Sequence, residues 1–167
     1  MNLKLIFFVL LFITNLSTAN AQVLDAIRGH AEDIKARFSD HKKIEGQILK
    51  IGQIDTKAKG QDILHNSSGT WSLIRSGNQL FLQSSEDFKS SPGPDYHVYV
   101  SSSKAIKDNS EFSDKQIEIG RLIKPNGAAY YPLKIQNPND ISSMLIWCKQ
   151  FKEYIGSADL LPERKNK

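Results

Sequence analysis

The sequence contains very little cysteine, since Cys148 is the only one in 167 residues. A single thiol cannot close an intrachain disulfide, which excludes a small disulfide-stapled scaffold. The apolar content of 40% in a chain of this length predicts one domain with its own core and leaves little room for a second. The unpaired thiol is therefore either a small buried apolar group or a functional one.

The chain also lacks the short motifs that mark many enzymes and metal sites. It contains no G-x-S-x-G nucleophile motif, no glycine-rich phosphate loop and no dinucleotide fingerprint. Its four histidines are far apart and do not have metal-ligand spacing: His30, His41, His65 and His97. The sequence therefore predicts neither a metal site nor a stand-alone enzyme.

Positive charge is only in slight excess, with a formal net charge of +4. Basic and acidic residues are interleaved, and no basic stripe with aromatic residues between its members occurs. This pattern argues against nucleic acid as a partner. The basic cluster in residues 162–167, formed by Arg164, Lys165 and Lys167, is expected to be a solvated tail.

Residues 1–21 have the composition of a secretory signal peptide. Lys4 precedes an apolar run over residues 5–13, and the small residues Ala19 and Ala21 occupy the positions that a signal peptidase reads. The run is too short for a permanent membrane anchor. We expect cleavage between Ala21 and Gln22 and an extracytoplasmic location, either periplasmic or secreted.

Residues 22–45 are predicted to form an amphipathic helix or stalk. Apolar residues recur at steps of three and four and share one helical face: Leu24, Ile27, Ala31, Ile34 and Phe38. One interpretation is a short coiled coil that makes an oligomer or meets a partner. The other is a helix that lies on its own domain, which the length of about two heptads favours.

Residues 46–161 are predicted to fold as an all-β, antiparallel β-sandwich. Short β-type runs alternate with turn signals, without helices between them, at residues 47–54, 70–75, 79–82, 96–100, 117–123, 130–135 and 144–151. The turn at Ser76, Gly77 and Asn78 predicts a hairpin. A parallel α/β sheet is excluded because crossover helices are missing.

The run that contains Cys148 is apolar on both faces. Alternation places Met144 and Ile146 on the same side as Cys148, and puts another apolar set on the opposite side: Leu145, Trp147 and Phe151. This pattern predicts a central strand and favours a buried, slowly reacting thiol. An unpaired cysteine in an exported protein is nevertheless prone to oxidation unless it is buried or has a functional role. A bridge between two chains would need an exposure that the apolar faces argue against.

An ordered set of residues resembles the DM13 domain over residues 59–161. The set comprises Gly60, His65, Gly69, Thr70, Leu80, Asp87, Phe88, Gly93, Pro94, Asp95, Val98, Tyr99, Val100, Gly120, Leu122, Gly127, Tyr130, Ile146, Trp147, Cys148, Phe151, Gly156, Ala158 and Leu160. The resemblance implies an extracytoplasmic β-sandwich, a type of domain often found beside DOMON and cytochrome b561-type domains. It also implies a redox role, with the cysteine acting as a bare thiol or as ligand to a prosthetic group such as haem.

Carried onto this sequence, the resemblance makes Cys148 the redox and cofactor-binding candidate. If Cys148 holds a haem or a metal, His65 is the best candidate for the second ligand, because imidazole and thiolate are both strong axial donors. The alternative for His65 is a loop histidine whose hydrogen bonds are satisfied locally. The other motif residues are expected to be structural: Gly69, Gly93, Pro94, Asp95 and Trp147. In the Gly-Pro-Asp turn, Pro94 fixes φ and Asp95 is expected to bond the backbone two residues on.

Two functions follow as alternatives. The first is an exported electron-transfer module that depends on Cys148 and exchanges electrons with a separate extracytoplasmic or envelope protein. The second is a non-catalytic binding or cell-envelope assembly module, in which Cys148 is a buried structural residue. Neither alternative makes the chain an enzyme in its own right.

Overall fold

The computed structural model describes residues 44–163. The predicted signal peptide at 1–21, the helix at 22–45 up to residue 43, and the basic tail from residue 164 lie outside the described residues and stay predictions. Between residues 44 and 163, no helix is long and apolar enough to cross a membrane.

The described residues form an all-β fold in which the only helices are two short 3-10 turns, at Asn109–Glu111 and Pro138–Asp140. The strands are β1 (Gln47–Gln53), β2 (Ser67–Ser68), β3 (Thr70–Ser76), β4 (Gln79–Ser84), β5 (Lys89–Ser90), β6 (Tyr96–Ser101), β7 (Ile117–Arg121), β8 (Ala129–Pro132), β9 (Ser143–Cys148), β10 (Glu153–Asp159) and β11 (Leu161–Pro162). Every strand pairing is antiparallel.

The strands form two main sheets, which confirms the predicted antiparallel β-sandwich. One sheet has the order β11-β1-β3-β4-β8, the other has the order β10-β9-β6-β7, and β2 and β5 form a small separate pair. The main core draws Leu73 and Leu82 from the first sheet and Val98 and Ile146 from the second. Burial of these side chains between the sheets supplies most of the apolar contact that holds the layers together.

The predicted hairpin at residues 76–78 is confirmed. Ser76 and Gln79 are paired, so Gly77 and Asn78 form the two-residue turn between β3 and β4. Gly77 has a φ of 57°, the positive value that such turns require and that glycine adopts at little cost. The turn thereby fixes the register of the two strands.

Strands β6 and β9 are central in the four-stranded sheet, and every residue of both is buried. On one face they contribute to the main core. On the other face Tyr99, Leu145 and Trp147 join Tyr154 in a second cluster, which is covered by Ala58, Ile106 and the partly buried Phe112. We call this second group the outer cluster. It explains why the β9 sequence is apolar on both faces.

The prediction for residues 144–151 is wrong at its C-terminal end. Strand β9 ends at Cys148, and Phe151 lies in the following turn with 59% of its surface exposed. Lys152 in the same turn has a φ of 54° and reverses the chain into β10. The predicted strands at 117–123 and 130–135 are likewise shorter in the structure, and β10 was not predicted as a strand.

Candidate functional site

Cys148 is the last residue of β9, and its side chain lies in the main core. Only 1% of its surface is exposed, and it is a free thiol. It is directly paired with Tyr96 on β6 and with Glu153 on β10. The neighbouring Lys149 is exposed and its Nζ contacts Glu118 Oε2 at 3.0 Å, so this ammonium group is engaged away from the thiol.

Tyr96 places a buried phenol beside the thiol. Its hydroxyl lies 3.2 Å from Ser91 Oγ and donates to the Pro92 carbonyl at 3.3 Å. Burial raises the pKa of this phenol; the Ser91 hydroxyl opposes the rise, and the proximity of Cys148 adds to it. A Cβ atom on Gly93 would lie 2.0 Å from the Tyr96 ring, so this motif glycine leaves the space that the ring fills.

His65 lies in a loop at the same end of the sandwich. Its Nδ1 atom is 3.1 Å from Asp62 Oδ2, so the ring has a local carboxylate partner. The next residue, Asn66, receives a hydrogen bond from the Ser91 backbone and donates its own N–H to Ser91 Oγ. Through Ser91, this loop is connected by hydrogen bonds to the Tyr96 hydroxyl.

Haem is the prosthetic group that the sequence resemblance implies, and Cys148 and His65 do not fit it as a ligand pair. An axial thiolate must face a space that holds the porphyrin, whereas Cys148 is enclosed by the side chains of the main core. His65 is partly exposed and bonded within its own loop. Among residues 44–163, no group of three or more His, Cys, Asp or Glu side chains is arranged to hold a metal ion.

A charged network surrounds His97, a residue that sequence reasoning left unassigned. His97 is 8% exposed; its Nδ1 lies 2.6 Å from Glu118 Oε1, and its Nε2 lies 3.0 Å from Asp95 Oδ1. Asp95 thus contacts the side chain of His97. The sequence predicted a hydrogen bond between Asp95 and the backbone two residues on. Because each ring nitrogen faces a carboxylate, both contacts are hydrogen bonds only when the imidazole carries two protons.

The cationic side chains of Arg121 and Lys149 complete this network. Arg121 Nη2 lies 3.2 Å from Asp95 Oδ1, and it also donates to the Pro94 carbonyl at 3.0 Å. Burial acts to raise the pKa of Glu118, but hydrogen bonds from Lys149 and His97 outweigh it and hold that pKa below its ordinary value. The carboxylate is therefore kept ionised in a partly buried position.

The outer cluster brings aromatic side chains against this network. Tyr99 Oη lies 3.5 Å from Glu118 Oε2, and its ring meets Phe112 edge to face with the centroids 5.5 Å apart. Phe112 in turn stacks on Trp147 at 4.2 Å. Burial raises the pKa of Tyr99 to about 12, and the charge of Glu118 adds to this effect. Trp147, which the sequence predicted to be structural, directly precedes Cys148 in β9, and its side chain lies on the opposite face of the sheet.

The remaining motif residues have structural surroundings. Gly69 has a φ of 102°, and a Cβ atom there would lie 2.5 Å from Phe88 Cα. The following residue, Thr70, bonds the Asp87 carboxylate through both its N–H and its hydroxyl. The turn needs a glycine on both conformational and steric grounds.

A signal for the His97 network was present in the sequence. Polar side chains alternate with apolar ones from Asp95, just before β6, to His97 and Tyr99 within it, which places the three on the same side of the chain. The partner Glu118 is 21 residues from His97, and only the pairing of β6 with β7 brings the two together. The alternation of polar and apolar residues could have identified Asp95 and His97 as neighbours, but it could not have identified Glu118 as their partner.

An open cleft of about 520 Å³ lies away from these groups. It is lined by Ile51, Gly52, Gln53, Asp55, Thr70, Lys107, Asp159 and Leu161. Lys107 and Asp55 form an ion pair at 3.2 Å in its wall, and Ile51 and Leu161 are exposed apolar residues. The cleft therefore offers both polar and apolar surface.

A family model described as electron transfer DM13 matches residues 61–160. No curated protein and no solved structure matches the chain significantly. The match includes β2 to β10, Cys148, the His97 network and the outer cluster apart from Ala58. It leaves out the N-terminal part of the cleft and its Leu161 edge.

Proposed function

The chain belongs to the electron transfer DM13 family, and from this premise we propose that it is an exported electron-transfer module whose redox centre is the Cys148 thiol. The family description supports the transfer of electrons as the general role. Assigning that role to Cys148, and placing the protein outside the cytoplasm, are our proposals.

The burial of Cys148 supports electron transfer over thiol exchange. Disulfide exchange requires a second thiolate to reach the sulfur in line, and a side chain that is 1% exposed in a packed core does not allow this approach. Electron tunnelling needs proximity but no direct contact. The same burial would protect the thiol from pairing with other chains in an oxidising compartment.

In the proposed cycle, an oxidised one-electron carrier protein takes an electron from the Cys148 thiol and the Sγ–H proton leaves with it. A reduced carrier returns the electron, and the proton returns to Sγ. We propose that the proton leaves past Tyr96, the residue paired with Cys148, whose hydroxyl lies 3.2 Å from Ser91 Oγ. Ser91 is partly exposed, so this route ends at solvent.

The predicted signal peptide at residues 1–21 supports export. Export would place the thiol where unpaired cysteines are rare, and a shielded redox role accounts for its presence there. N-terminal sequencing of the protein secreted by its host would test this part, because cleavage should leave Gln22 as the first residue. A mature protein that still begins at Met1 would contradict it.

A titration with hexachloroiridate(IV), an outer-sphere one-electron oxidant, tests the redox assignment. The folded protein should consume oxidant with a stoichiometry that falls by one equivalent in Cys148→Ser, which keeps the size of the side chain and removes the sulfur. Equal consumption by both proteins would overturn the assignment. An ultraviolet–visible spectrum without a Soret band is expected, because the surroundings of Cys148 do not fit haem.

A binding module with a structural cysteine is the alternative function. The open cleft at Ile51 and Leu161 favours it, because it combines an ion pair with exposed apolar surface. Under this alternative Cys148→Ser leaves the function intact. Retention of the mature protein by envelope extracts, and loss of retention in Lys107→Ala, would support this function.

A further inference from the structure

Tyr99 differs from every other tyrosine of the chain in its hydroxyl partner. All five tyrosines lie within the described residues. The other four hydroxyls bond neutral groups: Tyr96 with Ser91 and Pro92, Tyr130 with Gln83, Tyr131 with the Ile123 N–H, and Tyr154 with Ser157. Only the Tyr99 hydroxyl faces a carboxylate, that of Glu118 at 3.5 Å.

A carboxylate in this position matters because a phenol loses an electron readily only if its proton leaves at the same time. A proton acceptor must lie within about one hydrogen bond, and such contacts are often long before the reacting complex forms. Glu118 can accept the proton because its carboxylate is ionised and its Oε2 faces the phenol oxygen. Lys149 Nζ, 3.0 Å from Glu118 Oε2, also lies close enough to compensate the charge that moves.

The aromatic contacts lead from Tyr99 towards Cys148. The Tyr99 ring meets Phe112, and Phe112 stacks on Trp147. Trp147 is the residue immediately before Cys148 in β9, so their Cα atoms are about 3.8 Å apart. Tyr99 and Cys148 therefore lie on opposite faces of one sheet, close enough for an electron to pass through the strand pair.

We propose that Tyr99 is a proton-coupled redox relay, which passes electrons from Cys148 to an oxidised one-electron carrier protein at the outer face of the four-stranded sheet. This inference rests on the proposed function of Cys148. In the first step the carrier takes one electron from Tyr99, the phenol O–H bond breaks, and the proton passes to Glu118 Oε2. In the second step the tyrosyl radical takes one electron from Cys148, Glu118 returns its proton to the phenol oxygen, and the thiol proton leaves through the Tyr96 route.

Flash photolysis with ruthenium(II) tris-bipyridine and an electron acceptor tests the relay in the complete mature chain. The photo-oxidised ruthenium complex stands in for the carrier, and electron paramagnetic resonance detects the tyrosyl radical. The radical should form in the unmodified protein and be lost in Tyr99→Phe, which keeps the ring and its contact with Phe112. Tyr130→Phe is the matched control, because it removes a hydroxyl whose partner is an amide, and it should leave the signal unchanged.

Glu118→Gln removes the proton acceptor and should slow radical formation by about a hundredfold, the typical contribution of a positioned base. A solvent deuterium isotope effect on the unmodified protein tests the same point without a substitution. A tyrosyl signal that persists in Tyr99→Phe would overturn the proposal, and so would a rate that is insensitive to both Glu118→Gln and deuterium.

Cys148→Ser separates the relay from the proposed function. If both hold, the Tyr99 radical should live longer in Cys148→Ser, because the thiol no longer reduces it. If hexachloroiridate(IV) oxidises Cys148 but Tyr99 forms no radical, the relay is wrong and the proposed function stands. If the radical forms and its lifetime is the same in Cys148→Ser, electron transfer from Cys148 to Tyr99 is refuted.

Discussion

Tyr96 and Cys148 occupy directly paired positions on β6 and β9, and both side chains belong to the core between the two sheets. The pairing sets a phenol beside the only thiol of the chain at the end of a central strand. Gly93 makes room for the phenol, and Ser91 connects it to the loop that carries His65. Gly93 and the His65 loop thus adjoin the phenol of Tyr96, the residue that is paired with Cys148.

The burial of Cys148 predicts that its thiol reacts slowly with thiol reagents. With 1% of its surface exposed, Cys148 should react with dithiobis(nitrobenzoic acid) only through unfolding or local opening. In denaturant the same protein should release one thiolate equivalent of dye rapidly. Full reaction of the folded protein within the mixing time would show that the thiol is accessible and would contradict the structure.

Gly93→Ala should destabilise the fold by about 2 kcal/mol, because the added methyl group would collide with the Tyr96 ring and overpack the site. Gly77→Asn is the matched control: a Cβ atom at Gly77 meets no atom within 4 Å, and asparagine tolerates its positive φ. The control should cost less than about 1 kcal/mol. Urea denaturation of the three proteins measures both values, and equal costs would contradict the close approach of Gly93 and Tyr96.

Glu118 should contribute to loss of stability in acid. Its pKa is lowered from the ordinary value of 4.5 in the folded protein, so its stabilising effect is present above pH 4.5 and is lost as the pH falls through the folded pKa. The free energy of unfolding of Glu118→Gln should therefore fall less steeply below pH 4.5 than that of the unmodified protein. The exposed Glu86→Gln serves as control. A Glu118→Gln curve parallel to that of the unmodified protein would rule out this contribution.

Tyr154→Phe should cost about 1 kcal/mol of stability through the loss of one buried hydrogen bond. The Tyr154 hydroxyl lies 2.8 Å from Ser157 Oγ, and Ser157 also donates to the Ile106 carbonyl. Ser157 thus keeps a partner in the variant, which limits the cost. Thermal unfolding of Tyr154→Phe and of the double variant with Ser157→Ala measures the coupling, and strictly additive effects would contradict the pairing of the two hydroxyls.

The sandwich could be predicted from local signals in the sequence. The apolar faces of residues 144–148 identify a central strand, and Gly77 with Asn78 identifies the hairpin between β3 and β4. Strand β10 was missed because it contains Gly156, Ser157 and Ala158, small residues with low strand propensity. Their position is determined by pairing with β9, which is a tertiary interaction.

The site could be predicted only in part. The roles of Cys148 and His65 stay predictions; the structure places His65 in a loop, where its Nδ1 lies 3.1 Å from Asp62 Oδ2. The contact between His97 and Glu118 depends on how β6 and β7 align, and that register shifts between Val98 and Tyr99. A register shift of this kind changes which residues face each other. It produces no periodic pattern in the sequence from which it could be predicted.

Protein-film voltammetry of the unmodified protein, beside Cys148→Ser and Cys148→Ala, tests the assignment of the redox centre to Cys148 most directly. The unmodified protein should give a one-electron wave that both variants lack, while circular dichroism shows that all three are folded. Retention of the same wave by folded variants would contradict the role of Cys148, as would the absence of any wave from the unmodified protein.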